Sequence, residues 1–136
     1  MSAGPVSDRA AMIAQMDPVL DTGVWCFVTA SDPSQMVGLM GQALGSFRES
    51  EGLSLIVPHD VALEAGFDAA PYARITLQVH SALDGVGLTA AVSSALSDAG
   101  IPCNMVAAYH HDHVFVPYDR GEEALDLLRR LASGQA

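Results

Sequence analysis

Arg74-Ile-Thr-Leu-Gln-Val-His80 alternates apolar and polar residues with a β-branched bias, the pattern of a strand with one buried face. Ser81-Ala-Leu-Asp-Gly-Val-Gly87 interrupts it, and Leu88 to Ala99 then carries apolar residues at Leu88, Ala91, Val92, Ala95, Leu96 and Ala99. That i, i+3, i+4 spacing predicts a core-facing helix, and Gly100 stands where a helix exit prefers glycine. Ile101 to Tyr109 and Val114 to Pro117 are predicted strands, joined across His110-His-Asp-His113. Glu122 to Leu131 predicts a second amphipathic helix, turning Ala124, Leu125, Leu127, Leu128 and Leu131 inward. Strand, helix, strand, strand, helix is most of a βαββαβ unit, with helices on one face of an antiparallel sheet.

Working back toward the start, Asp8 to Met16 predicts a short helix, and Asp17-Pro18 and Asp21-Thr22-Gly23 are turn chemistry. Val24-Trp-Cys-Phe-Val-Thr-Ala30 is a strand by β-branched and aromatic content. Ser31-Asp32-Pro33-Ser34 opens a loop or a single helical turn, with Pro33 at a first helical position. Ala43 to Glu49 and Leu53 to Val57 predict a hairpin around Ser50-Glu51-Gly52, and Asp60 to Ala65 a brief helix closed by Gly66. The first half therefore repeats the βαββαβ outline with its first helix shortened. The expected division is a leader over 1–17, a first module over 18–73, a second over 74–132 and a tail over 133–136. The second module runs out before its closing strand, which exposes a sheet edge. Strand sharing within the chain is the expected remedy, a partner subunit the alternative.

His80-Ser-Ala-Leu-Asp-Gly-Val-Gly-Leu-Thr-Ala-Ala-Val92, then Ala99-Gly-Ile-Pro-Cys-Asn104 and His111-Asp-His-Val-Phe-Val-Pro117, resemble the ACT domain, in particular small bacterial proteins with paired ACT-type modules. The resemblance spans about Pro18 to Leu131. It implies an α+β fold of two interlocked ferredoxin-like modules with antiparallel sheets. It also implies a non-catalytic regulatory module that binds an amino acid at an inter-module interface, as a homodimer.

Length and composition set outer bounds. At 136 residues the chain is one compact domain or two very small modules. Half of it is hydrophobic and its mean hydropathy is +0.28, enough for a well-filled core. The start lacks a basic region followed by an apolar stretch, and no apolar run reaches membrane length, so a soluble, cytoplasmic protein is expected. Net charge is −10, and the six basic residues are all arginine. Nucleic-acid binding needs a basic stripe that is absent here, and Arg129-Arg130 fall in the last turn of a helix, where cations suit the dipole. Cys26 and Cys103 lie among apolar neighbours in predicted strands and read as free thiols.

The candidate ligand site is the loop Ser81, Asp84, Gly85, Val86, Gly87 and Leu88, with Asn104 on the following strand. Free amides at a helix start attract a carboxylate, and Asp84 meets an ammonium; the pair suits an α-amino acid. The competing reading is that Ser81 or Asp84 caps the helix and the glycines serve a tight turn. For Asn104 the alternative is a structural, internally satisfied amide. His111 and His113 share one side of the turn and make a low-ranked metal pair; no metal or cofactor is expected. Arg48 with Glu49 and Glu51 reads as a charged-ligand contact or a surface ion pair. Phosphate-loop, dinucleotide and nucleophile-elbow patterns are absent. A protein-interaction module without ligand, or a His-dependent metal enzyme, are the rival functions.

Overall fold

The structure is a computed structural model and describes residues 8–79 and 86–135. It has two compact units. One is made by the chain up to Thr22 together with the chain from Ala73 onward, the other by Gly23–Tyr72.

The first of these contains α1 (Arg9–Ala14), β1 (Pro18–Leu20), α4 (Leu88–Asp98), β6 (Asn104–Ala107), β7 (Asp112–Pro117) and α5 (Gly121–Ala132). All but the first residue of β5 (Tyr72–Leu77) also belongs to it. Its strand order is β1-β5-β7-β6. In β5, Ala73, Ile75 and Leu77 are buried and the residues between them are not, which is the expected single buried face. Val92 and Leu96 of α4 and Ala124 and Leu128 of α5 pack against that face, with Val114 and Val116 of β7. Truncating Leu96 to alanine would cost about 2–5 kcal/mol, since it is wholly inaccessible. Gly100 takes φ +72 just past α4, and the Ile101 N–H donates to the Leu96 carbonyl, so the helix exit forms as its sequence requires.

The edge left open by the second βαββα series is covered from within the chain. β1 pairs antiparallel with β5, Pro18 opposite Leu77 and Leu20 opposite Ile75. The Gln78 N–H donates to the Met16 carbonyl at 2.6 Å at one end of this pairing. At the other end Asp21 N–H reaches the Arg74 carbonyl at 3.1 Å, and Arg74 Nε holds Asp21 Oδ2 at 2.6 Å. Residues 18–20, placed by sequence order at the head of the first module, thus supply the fourth strand of the other unit. Met12 and Met16 are buried in the same core, which gives α1 its anchor.

The Gly23–Tyr72 unit contains β2 (Trp25–Ala30), α2 (Pro33–Met40), β3 (Gly45–Glu49), β4 (Gly52–Pro58) and α3 (His59–Glu64), with strands in the order β3-β4-β2. Cys26, Val28, Ala30, Leu55 and Val57 face Leu39 of α2 and Ala62 of α3. Tyr72 pairs with Trp25, and its ring meets Phe27 edge to face at 5.2 Å. Three sequence expectations change here and in the other unit. The expected loop or single turn after Ala30 is an eight-residue helix, because Asp32 caps it and Pro33 starts it. The long strand expected over residues 101–109 shrinks to Asn104–Ala107, since Pro102 has no N–H for a ladder and the Gly100 exit consumes the residues before it. Cys103 consequently precedes the strand and is only half-buried. Burial pushes both thiols above their ordinary range, away from thiolate chemistry.

Candidate functional site

α4 begins at Leu88 with Gly87 as its N-cap, in the left-handed region at φ +110 and ψ −18. A side chain is excluded there twice over. The dihedral disfavours L-residues, and an added Cβ would lie 2.7 Å from Arg9 Cδ and 2.9 Å from Arg9 Cγ. Glycine at this position is therefore required by backbone geometry and by the arginine stem that crosses it. No side chain among the described residues caps α4, and its first turn carries no acid.

The other helix starts differ. Asp8 caps α1 through the Ala10 N–H at 3.2 Å. Asp32 caps α2, accepting from the Ser34 N–H and the Ser34 hydroxyl at 3.0 Å each. α5 carries Glu122 and Glu123 in its first turn. Among the described residues, α4 is thus the helix of eight or more residues whose positive end meets neither a capping oxygen nor a first-turn carboxylate.

Of the expected site residues, Ser81, Asp84 and Gly85 lie outside the described residues. Val86 is 79% exposed, Gly87 half-buried and Leu88 4% exposed. Leu88 is a core side chain, so its contribution at the mouth is confined to its backbone N–H. Asn104 is exposed, not the buried amide the sequence suggests, because β6 is the sheet's edge strand and leaves the side chain in solvent. It is also remote from Gly87. Asn104 pairs with Phe115, while His113, two residues earlier on β7, meets Thr76 of β5 at 3.0 Å between Oγ1 and Nδ1. In this antiparallel sheet Asn104 therefore lies toward the Arg74 end of β5, away from the Val79 end.

Two residues passed over for this site come to that end of the unit. Arg9, from α1, lays its stem across Gly87, and its guanidinium has no ion pair or hydrogen bond among the described residues. No sequence signal points to it, since the contact joins residues far apart in the chain. His111 sits in the β6–β7 turn, closed by the Ala108 N–H to the His111 carbonyl at 3.0 Å. The register carries it past Thr76 toward Gln78, and its Nδ1 is buried without a hydrogen-bond partner among the described residues. Among the described residues no three His, Cys, Asp or Glu side chains gather for a metal. His113 is neutralised by its surroundings: burial first, then Arg74 and His111, lower its pKa below the ordinary 6.5, against the opposing pull of Asp112 and Asp21. Among the described residues no helix is long and apolar enough to cross a membrane.

This architecture has relatives. ACT domain models match the chain over residues 6–74 and 70–130. No curated protein matches it. A Vibrio cholerae protein of unknown function, described as a possible transport protein, is 37% identical, with 90% of this chain and 94% of that one covered and a TM-score of 0.79. A protein from Agrobacterium tumefaciens has 23% identity, coverage of 80% and 81%, and a TM-score of 0.60. The regulatory subunit of aspartate kinase from Thermus thermophilus, in its ligand-free form, shares the fold at 14% identity, with coverage of 88% and 95% and a TM-score of 0.61. ACT domains commonly bind amino acids in regulatory roles and are typically non-catalytic. With a βαββα series in each half and an ACT match over each, this chain belongs to the ACT domain family as a tandem pair of ACT-type modules.

Proposed function

We propose that this protein is a non-catalytic regulatory module of the cytoplasm that senses an amino acid and works as a homodimer. The observation that carries the reading is the start of α4, which no side chain among the described residues caps, with a glycine at φ +110 in the N-cap position. The amides of Gly87 and Leu88 receive the ligand carboxylate, as a helix start receives anions generally. Asp84 takes the ammonium. The Arg9 guanidinium, free of ion pairs among the described residues, adds a second positive group on the carboxylate side. ACT membership makes an amino acid the first class to try. The acidic balance of the chain argues against nucleic acid as a partner.

The test is a melting-temperature screen of the intact chain against the twenty amino acids. A true ligand at a hundred times its dissociation constant adds about 2.7 kcal/mol. Asp84→Ala then weakens binding by about 1.5–3 kcal/mol through loss of a charge-assisted hydrogen bond, whereas Asn104→Ala, remote from the mouth, leaves it near the parent value. If no amino acid raises the melting temperature at millimolar concentration, the sensor reading fails. Light scattering at tens of micromolar checks the dimer.

A further inference from the structure

The chain leaves the unit that holds α4 after Thr22 and returns to it at Ala73. Asp21 stands one residue before the exit and Arg74 one residue after the return, and the two are tied twice. The Asp21 N–H donates to the Arg74 carbonyl at 3.1 Å, and Arg74 Nε holds Asp21 Oδ2 at 2.6 Å. Both side chains are about a quarter exposed, so solvent screens this pair less than the more exposed pairs of Arg120 and Arg130. These contacts close one end of the β1–β5 pairing, and the Gln78 N–H on the Met16 carbonyl closes the other.

His113 is placed beside this tie. In β5, Ala73, Ile75 and Leu77 face the helices, which turns Arg74 and Thr76 to the opposite face. His113 meets Thr76 there through Nδ1 at 3.0 Å, while Val114 and Val116 take the helix face of β7. The charged and titratable groups around the imidazole come from three places. Arg74 faces it from β5, Asp21 from just past β1, and His111 and Asp112 precede it in its own hairpin. β6, its neighbour on the other side, sets Val106 opposite His113 and carries no titratable residue. Burial and then Arg74 do most to keep the ring neutral, and the repulsion from Arg74 outweighs the attraction from Asp21. A proton on His113 therefore acts on Arg74 first, driving the guanidinium away from the ring and off Asp21.

We propose that Asp21, Arg74 and His113 form a proton-operated clasp: neutral His113 leaves the exit and return of the chain tied together, and protonated His113 releases Arg74 from Asp21 and frees that end of β1 from β5. The sign follows from linkage. The tied state holds His113 below the ordinary 6.5 and the released state lets it return toward that value, so acid favours release. The clasp stays shut above pH 6.5 and opens as pH falls from there toward the lowered value. Each pH unit between the two states' values shifts their ratio about tenfold.

The test follows the intact chain by nuclear magnetic resonance between about pH 8 and 5, with a chelator present and well below the melting temperature. The His113 ring protons give its titration. The Asp21 amide and the Arg74 Nε–H report the clasp, and the Gln78 amide is the internal control at the other end of the pairing. As His113 titrates, the protection of the Asp21 amide and the Arg74 Nε–H, corrected for intrinsic exchange, should fall at least about tenfold while that of Gln78 holds. Arg74→Gln should raise the His113 midpoint toward 6.5, Asp21→Asn should lower it further, and His113→Gln should keep the Asp21 amide protected across the range. The proposal is overturned if the Asp21 and Arg74 signals ignore the His113 titration, if Gln78 loses protection equally, or if His113→Gln loses it as the parent does.

Discussion

α2 and α4 occupy equivalent places, each the first helix after the first strand of its βαββα series, yet they begin in opposite ways. α2 closes its own start: Asp32 takes the Ser34 amide and hydroxyl, and Pro33 has no N–H to leave unsatisfied. α4 starts on a left-handed glycine with no described capping side chain and no acid in its first turn. Among the described residues, one module satisfies its helix start with a side chain of its own and the other does not. Equivalent helices of the two series therefore differ in how they start: Asp32 and Pro33 at α2, a left-handed glycine crossed by the Arg9 stem at α4.

The sharpest way to break this contrast is Gly87→Val. The φ of +110 and the 2.7 Å approach of Arg9 Cδ make a branched side chain both strained and crowded, so unfolding free energy should fall by about 2 kcal/mol, read by denaturant titration. An unchanged midpoint would mean that the loop relaxes freely and that the glycine has no structural duty. Asp32→Ala should come next, at about 1 kcal/mol, with Asp32→Asn recovering most of the loss by retaining a capping oxygen. A smaller effect is expected from Arg9→Ala in the Gly87→Val background. Removing the stem leaves the dihedral strain and relieves the contact, so a double-mutant cycle should give a coupling of about 0.5–1 kcal/mol.

The smallest effect is a pH dependence confined to the unit that holds α4. His113 has its pKa lowered from 6.5 in the folded chain, so the unfolded state binds the extra proton as pH falls. Stability is therefore full above pH 6.5 and declines as pH drops from 6.5 toward the lowered folded value. His113→Gln should flatten that decline in thermal melts. A melting temperature that instead rose through the same window would contradict neutral His113 beside Thr76 and Arg74.

How much of this was legible beforehand depends on the range of the interaction responsible. The α4 and α5 faces follow from i, i+3, i+4 spacing, and Leu88, Val92, Leu96, Ala124 and Leu128 are buried accordingly. Gly100 at a helix exit is equally local. α2 was underestimated because tertiary cover on one side, through Leu39, stabilises a helix whose interior Gly38 weakens the sequence signal. Asn104 looked like a buried amide because its neighbours are apolar, but edge position, a property of the whole sheet, leaves it in solvent. Arg9 at Gly87 was invisible as a site feature, because the contact joins residues far apart in the chain.

By itself the sequence determined the α+β class and most of the element types and their order, though not the helix α2 or the strand β1, since period and turn chemistry act over a few residues. Tertiary structure decided which strand completes which sheet. Pro18–Leu20 precedes the first module in the chain, yet it pairs with Ile75–Leu77 and is held there by Asp21 on Arg74. The reason is that an open sheet edge leaves backbone N–H and C=O groups without partners, and any nearby extended segment with the right reach satisfies them. Three residues of strand carry little pattern of their own; Met12 and Met16, buried in the same core, bring them to that edge.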